Sequence, residues 1–158
     1  MVRLIPMPAT DFQVYLEEDT KRYAQERVRA GDWHPTEALQ KSREEHRQML
    51  PDGIATKNHY LFVIEDEALG SKVGVIWLAV YDQQVQPVAF VYDFLIAEEF
   101  RQQGYGKQAL LALEAKVKEL GVDRTALHVF AHNCMARALY EKSGFEITGL
   151  DLTKRLTN

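Results

Sequence analysis

Hydrophobic and polar residues alternate with two different periods along the chain, and these periods predict its helices and strands. Four segments have the spacing of an amphipathic helix; they are Asp11–Ala30, Pro35–Met49, Tyr105–Leu120 and Cys134–Ser143. Segments rich in Val, Ile, Tyr, Phe and Trp predict strands; they are Val2–Met7, His59–Glu65, Lys72–Tyr81, Val88–Ala97 and Thr125–Ala131, with one or two more within Phe145–Leu156. The order β-αα-βββ-α-β-α-β predicts an α/β (α+β) fold, a single domain over residues 1–158 with a mixed, mainly antiparallel sheet.

Specific residues mark the expected helix ends. Thr10–Gln13 has the spacing of a capping box, so we expect the first helix to begin there. Gly31, Gly121 and Gly144 each follow a predicted helix, where a residue in the left-handed conformation commonly ends it.

Composition and charge exclude several classes of protein. The chain has 158 residues, a net charge of −4 and a single cysteine, Cys134, so no disulfide within the chain holds the fold. The longest apolar stretch, Val73–Tyr81, is far shorter than the roughly 20 residues that span a bilayer, and the N-terminus lacks the apolar core of a signal peptide. The negative charge weighs against nucleic acid and favours a cationic partner. We therefore expect a cytoplasmic protein that binds neither membrane nor nucleic acid.

A glycine-rich loop lies between the third strand of the central group and the third helix. Its sequence is Arg-Gln-Gln-Gly-Tyr-Gly at residues 101–106. Glycines allow close approach of a ligand to the backbone, and free N–H groups at a helix start bind anions. The G-x-G-x-x-A match at 104–109 does not fit a dinucleotide fold, because six residues separate it from the strand and no acidic residue ends the next strand. A tight turn that needs glycine is the alternative interpretation.

Two signatures together point to a family. The loop reads R-x-x-G-x-G, and residues 133–145 follow with an Asn and then A-x-x-L-Y-E-K-x-G-F. In this order and spacing they resemble the signatures of the GNAT superfamily of N-acetyltransferases, and the resemblance extends over essentially the whole chain. It implies transfer of an acetyl group from acetyl-coenzyme A to an amine acceptor in a ternary complex, without an acyl-enzyme and without a metal. It also implies a possible homodimer.

The resemblance assigns residues to coenzyme binding. The loop would hold the pyrophosphate through backbone amides and nearby positive charge; its residues are Arg101, Gln102, Gln103, Gly104, Tyr105, Gly106 and Lys107. The end of the preceding strand would splay from its neighbour and bind the pantetheine arm through main-chain groups of Leu95, Ile96 and Ala97. Asn133 would contact the same arm, although as a good helix N-cap it has a purely structural alternative.

The resemblance also suggests catalytic residues. Tyr140 would be the general acid that protonates the coenzyme's thiolate; the alternative is a buried core aromatic. Tyr92 stands at the position where relatives often have a glutamate base, and Asp93 follows it. Strand alternation would place Tyr92 with Phe90 and Phe94 on one face and Asp93 on the other. Asp93, Glu65 and Glu98 are therefore the candidate bases.

Three other possibilities come from the residues themselves. His128, His132 and Cys134 offer metal-ligand types, and His132 could activate Cys134 as a nucleophile, but a small buried thiol is the simpler interpretation of Cys134. Trp33 either lines the acceptor site or anchors the surface. An acyl-coenzyme A sensor or interaction module with little turnover is the alternative function.

Overall fold

Five strands form one sheet whose order in space, β1-β2-β3-β4-β5, follows their order in the chain. The computed structural model describes residues 1–82 and 86–157. The strands are β1 Val2–Pro6, β2 His59–Asp66, β3 Ser71–Asp82, β4 Pro87–Ile96 and β5 Thr125–Leu127. The α helices are α1 Ala9–Arg29, α2 Ala38–Met49, α3 Tyr105–Glu119 and α4 Cys134–Lys142, and short 3₁₀ turns occupy Gly53–Ala55 and Glu98–Phe100. Residues 83–85 and 158 of the predicted domain lie outside the described chain.

The sheet is mixed, as predicted. The first three pairings are antiparallel, and β4 pairs with β5 in parallel through the crossover that contains α3. The parallel pairing covers only three positions and ends where Val91 faces Leu127. Residues 92–96 of β4 therefore extend past the last pairing with β5.

Helices cover both faces of the sheet, which explains the nearly continuous apolar sequence of its central strands. On one face Phe12 and Tyr15 of α1 pack with Leu61 and Trp77 of the sheet. On the other face residues of α3 and α4 pack on the sheet, among them Leu110, Leu113 and Tyr140 against Ile64, Ile76 and Leu78. α2 packs on α1, and its His46 ring lies 5.7 Å from the Trp77 ring. Two cores thus share one sheet.

Two predicted helix starts are wrong. α1 begins at Ala9, with Pro8 as its N-cap and no side-chain cap, so the capping box at Thr10 does not form. The Pro8 carbonyl accepts the N–H groups of Asp11 and Phe12 at 3.0 and 3.2 Å, so the first turn closes two residues earlier. Proline's fixed φ suits it to precede a helix. α2 begins at Ala38 and not at Pro35, after a turn in which the Glu37 N–H binds the His34 carbonyl.

The predicted strands near the C-terminus are largely absent. Residues 145–157 have no regular secondary structure, and β5 ends at Leu127 instead of Ala131. A strand needs a hydrogen-bonded neighbour, and apolar alternation alone does not supply one. Among the residues that the structure describes, no helix is long and apolar enough to cross a membrane.

Candidate active site

A β-bulge in β4 sets the direction of the central side chains. Trp77 of β3 pairs with Asp93, but the next residue of β3 pairs with Val91, so Tyr92 is the extra residue. Asp93 therefore reaches α1, on the same face as the Tyr92 ring, while Phe94 packs on the opposite face. The predicted simple alternation is wrong at this point.

Asp93 is a carboxylate held at the inner side of α1. Its Oδ2 accepts hydrogen bonds from the Tyr15 hydroxyl and from Nη2 of Arg22, both at 2.8 Å. Its side chain is only 14% exposed. Burial and then the negative charge of Asp19 raise the pKa of Asp93 to about 7, although Arg22 and Tyr15 oppose the shift. Near neutral pH this carboxyl can therefore both take up and release a proton.

Tyr140 of α4 packs on the other face of β4, against the residue that follows Asp93. Its ring contacts Phe94 of β4, with centroids 6.2 Å apart, and Phe145, with centroids 5.6 Å apart. Burial and then the charge of Asp93 raise the pKa of Tyr140 to about 12, so its hydroxyl keeps its proton at neutral pH. A group that can accept a proton and a group that can donate one thus lie on the two faces of β4, and the charge of Asp93 acts on the Tyr140 hydroxyl.

The end of β4 has backbone groups beyond its pairing with β5. The N–H of Ala97 donates to the Val73 carbonyl at 2.8 Å, and therefore points toward β3. The Ile96 carbonyl accepts Nε of Arg101 at 2.9 Å, so a side chain of the glycine loop occupies it. Leu95 lies between the bulge and this carbonyl, where no β5 residue pairs with it. β4 thus continues past its last pairing with β5 at the residues where the resemblance implies a splay.

The glycine loop leads directly into α3. Gly104 is its N-cap, with φ of +85°, and no side chain caps the helix, so the amides of the first turn have no side-chain acceptor. A Cβ built on Gly104 would lie 3.9 Å from its nearest neighbour, Nε2 of Gln108, so the surface there is open. Gln102 also has positive φ, 60°, and Gln103 donates to the Glu99 carbonyl at 3.0 Å. Arg101 and Lys107 are both exposed beside these amides.

Tyr105 and Gly106, at the end of the glycine loop, also pack against other parts of the protein. The Tyr105 hydroxyl donates to Asp66 at 2.5 Å, and this hydrogen bond lowers the pKa of Asp66. The Tyr105 side chain thus connects the start of α3 to the β2–β3 turn. Only the backbone of Tyr105 is therefore available to a ligand on the loop. A Cβ on Gly106 would lie 2.9 Å from Cδ2 of Leu139 on α4, so α3 and α4 meet here without space for a side chain.

Asn133 and Cys134 begin α4. Asn133 is the N-cap, and its Oδ1 accepts the Ala136 N–H at 3.3 Å. It lies seven residues before Tyr140, on the same helix face about 10 Å away. Cys134 is exposed, which corrects the expectation of a buried thiol. His132 pairs with Glu26 of α1 and so joins the loop before α4 to α1.

The remaining candidates have other partners. The Tyr92 hydroxyl is hydrogen-bonded to the Tyr81 hydroxyl, and burial raises its pKa. Glu65 is an ion-pair partner of Arg3 at 2.7 Å, and Glu98 is exposed in a 3₁₀ turn. The Trp33 ring stacks beneath the Arg27 guanidinium at 4.3 Å. Among the described residues, no three His, Cys, Asp or Glu side chains are grouped as metal ligands.

The sequence did not lead us to the residues around Asp93. Tyr15, Asp19 and Arg22 lie on one face of α1, spaced four and three residues apart. Asp19 and Arg22 are charged residues within a stripe of α1 that faces inward. Charged residues at such positions indicate a buried polar cluster.

Comparisons with known proteins agree with this geometry. Residues 17–145 match the family model described as the acetyltransferase (GNAT) family. Two Bacillus subtilis (strain 168) proteins, each named as an uncharacterized N-acetyltransferase, are similar over nearly their whole length: YycN is 40% identical over 98% of this chain and 99% of its own. YdgE is 35% identical over 95% of each.

Solved structures show the same architecture. The crystal structure of Bacillus subtilis YycN matches with a TM-score of 0.95 and 39% identity, covering 100% of both chains. AAC(6')-Iy, solved in complex with the bisubstrate analog CoA-S-monomethyl-acetylneamine, matches with a TM-score of 0.58 over 100% of this chain and 99% of its own. At 17% identity it shares the fold alone.

Proposed function

Since this chain belongs to the GNAT family and is an acetyl-coenzyme A-dependent N-acetyltransferase, we propose that it acetylates a primary amine by direct attack in a ternary complex. The observation that carries this proposal is that Asp93 and Phe94, the residue that Tyr140 contacts, are adjacent on β4 just past its last pairing with β5. The Asp93 carboxylate suits removal of a proton from the amine, and the Tyr140 hydroxyl suits donation of a proton to the departing sulfur.

The glycine loop is the proposed site for the coenzyme's pyrophosphate. The uncapped first turn of α3 offers N–H groups and the positive end of the helix dipole, and the open surface at Gly104 gives a phosphate room to approach. Arg101 and Lys107 add charge-assisted contacts. Gln102 and Gln103 complete the loop through their backbone, as do Tyr105 and Gly106.

The splayed end of β4 is the proposed site for the pantetheine arm. Main-chain groups of Leu95, Ile96 and Ala97 lie along it, and Asn133 lies on the facing end of α4. Arg101 would have to release the Ile96 carbonyl before that group could accept a pantetheine N–H. Movement of Arg101 from this carbonyl to the pyrophosphate would couple the two parts of the coenzyme site.

Asp93 is the proposed general base, and Tyr140 the proposed general acid. An amine with a pKa near 10.4 is almost entirely protonated at pH 7, so a base must remove a proton before attack. Asp93 would take that proton, directly or through water. The amine nitrogen then bonds to the acetyl carbon, the carbon–sulfur bond breaks, and the Tyr140 hydroxyl gives its proton to the thiolate. The nitrogen loses its second proton to water, and water returns a proton to Tyr140. Tyr92 has no proposed role in proton transfer, because its hydroxyl is paired with Tyr81.

The proposed acceptor is a cationic amine. The net charge of −4 supports this class. Of the acidic run at residues 17–19, Glu17 and Glu18 are exposed, whereas Asp19 is buried and paired within the protein. The run therefore contributes two charges to the surface and not three.

A screen of amines, read by release of coenzyme thiol, tests the proposed function. We expect amine-dependent release at pH 7.5, and Asp93→Asn should reduce kcat/KM about 10²- to 10⁴-fold. Asp123→Asn removes an exposed carboxylate and should leave the rate unchanged. Tight coenzyme A binding without turnover of any amine would favour the sensor instead.

Intact-mass measurement tests the ternary complex. Cys134→Ala should keep most of the activity, and wild-type protein incubated with acetyl-coenzyme A alone should gain no acetyl group. An acetylated Cys134 that an amine then discharges would establish a covalent intermediate.

We also propose a cytoplasmic location, which the exposed free thiol of Cys134 supports, because such thiols persist in reducing compartments.

A homodimer stays a prediction that sedimentation equilibrium can test.

A further inference from the structure

A chain of buried polar groups runs from α2 through α1 to Asp93. Nε2 of His46 lies 2.7 Å from Oδ2 of Asp19. The other oxygen of Asp19 accepts Nη2 of Arg22 at 2.7 Å, and this same nitrogen donates to Asp93 at 2.8 Å. Two carboxylates therefore share one guanidinium nitrogen, and Asp19 has an imidazole behind it.

The hydrogen bonds of His46 show that it and Asp19 hold one proton beyond those of a neutral imidazole and a carboxylate. Nδ1 lies 2.8 Å from the Ser42 carbonyl, which can only accept, so Nδ1 carries a hydrogen. Nε2 faces a carboxylate oxygen, so a second proton lies between them. Burial lowers the pKa of His46, but the hydrogen bonds to Asp19 and Ser42 raise it by more, which agrees with a retained proton.

We infer that Asp19 and His46 are positioning residues that set the protonation state of Asp93 through the guanidinium of Arg22. The inference rests on the proposed role of Asp93 as the base. When the pair holds its proton, Asp19 is largely neutralised and Arg22 acts mainly on Asp93. When the pair loses that proton, the negative charge of Asp19 repels the charge on Asp93 and competes for Arg22.

The two substitutions that separate these effects act in opposite directions. In Asp19→Asn, the amide oxygen can still accept from Arg22, and its NH₂ can donate to neutral His46. With the carboxylate gone, Asp93 should lose its proton at lower pH. In His46→Gln, the amide can still donate to Asp19 but brings no positive charge. Asp19 then stays uncompensated, and Asp93 should lose its proton at higher pH.

Other charged or titratable groups face this cluster and are left unchanged by the two substitutions. Around Asp93 they are Tyr15 of α1 and Tyr140 of α4, while β3 contributes the uncharged Trp77. Around His46 they are Tyr23 of α1 and Glu45 of its own helix, again with Trp77 from β3. Arg22 donates to both Asp19 and Asp93, and Tyr15, which donates to Asp93, also lies close enough to Asp19 to be affected by its charge.

The test is an NMR titration of the ¹³C-labelled aspartate carboxyls in the full-length protein without ligand. The Asp93 midpoint should fall by about one pH unit in Asp19→Asn and rise by a similar amount in His46→Gln. Glu18→Gln, which removes an exposed carboxylate from the same helix, should not move it. Equal midpoints in all four proteins, or shifts of the two variants in the same direction, would overturn the inference.

The pH–rate profile then separates this inference from the proposed function. If wild-type protein turns over no amine, the proposed function fails, but the titration still decides the coupling. If wild-type protein turns over an amine and Asp93→Asn shows the same fall of kcat/KM at low pH, Asp93 is not the base. The coupling of Asp19 and His46 to Asp93 is then still decided by the titration. If Asp19→Asn does not fold, His46→Gln decides: an upward shift supports the coupling, and any other result contradicts it.

Discussion

At the scale of single residues, the candidate site contains two groups, Asp93 and Tyr140, whose pKa values are both raised and whose proposed roles are at opposite ends of a proton transfer. Burial raises the pKa of Asp93 to about 7, near the working pH of a base. The same surroundings raise the pKa of Tyr140 to about 12, so it is always a donor. Separation of two such pKa values by a shared environment is a frequent arrangement in acid–base catalysis.

Removal of the Tyr140 hydroxyl should affect catalysis more than folding. Tyr140→Phe keeps the ring packed between Phe94 and Phe145, so coenzyme affinity should change little. A thiolate is already a fair leaving group, so we expect kcat to fall about 10²-fold with KM nearly constant. Tyr60→Phe, at a partly buried tyrosine of the same core, is the control. A wild-type rate in Tyr140→Phe, with chemistry rate-limiting, would make Tyr140 structural.

At the scale of secondary-structure elements, α3 has left-handed glycines at both ends, and only one end belongs to the proposed coenzyme site. Gly104 precedes the helix with φ of +85°, and Gly121 follows it with φ of +78°. An added Cβ would be uncrowded at both positions. Alanine at either position should therefore cost a similar free energy of unfolding, about 1 kcal/mol.

Binding should distinguish these two glycines. Gly104→Ala places a methyl group at the mouth of the amide loop, so we expect at least a tenfold loss of coenzyme A affinity by calorimetry. Gly121→Ala, destabilised to the same extent, should bind as wild type. Equal affinities in the two variants would show that the pyrophosphate does not lie on this loop.

The sequence predicted the four helices and the first five strands, because these depend on local patterns, but it also predicted strands after residue 144 that do not form. Leucines and glycines at fixed spacing locate α3, and the GNAT-like signatures locate the loop and α4. The bulge at Tyr92 could not be predicted, because it depends on how β4 aligns with β3, and strand alternation assumes a regular register. The partners of Asp93 were missed for a related reason: Tyr15 and Arg22 reach it only through tertiary packing.

At the scale of the whole molecule, the buried carboxyl makes stability depend on pH. The pKa of Asp93 is raised from 3.8 to about 7 on folding, so the folded protein binds a proton that the unfolded chain releases. This contribution is fully present below about pH 4 and is lost as pH rises toward 7.

Asp93→Asn should remove this pH dependence. The variant should be more stable than wild type at pH 8, by up to about 4 kcal/mol, and nearly equal to it at pH 4. Urea unfolding at both pH values measures the difference. A variant that is less stable at pH 8 would show that the ion pair with Arg22 outweighs the cost of burying the charge.

The contact between Gly106 and Leu139 also constrains how the sequence can change. The absent side chain on α3 and the leucine on α4 fill one space, with 2.9 Å left for a Cβ. A larger residue at position 106 would require the Leu139 side chain to move or to be replaced by a smaller one. Tyr140 follows Leu139 in the chain, so a side chain at position 106 would press on the helix turn that carries the proposed general acid.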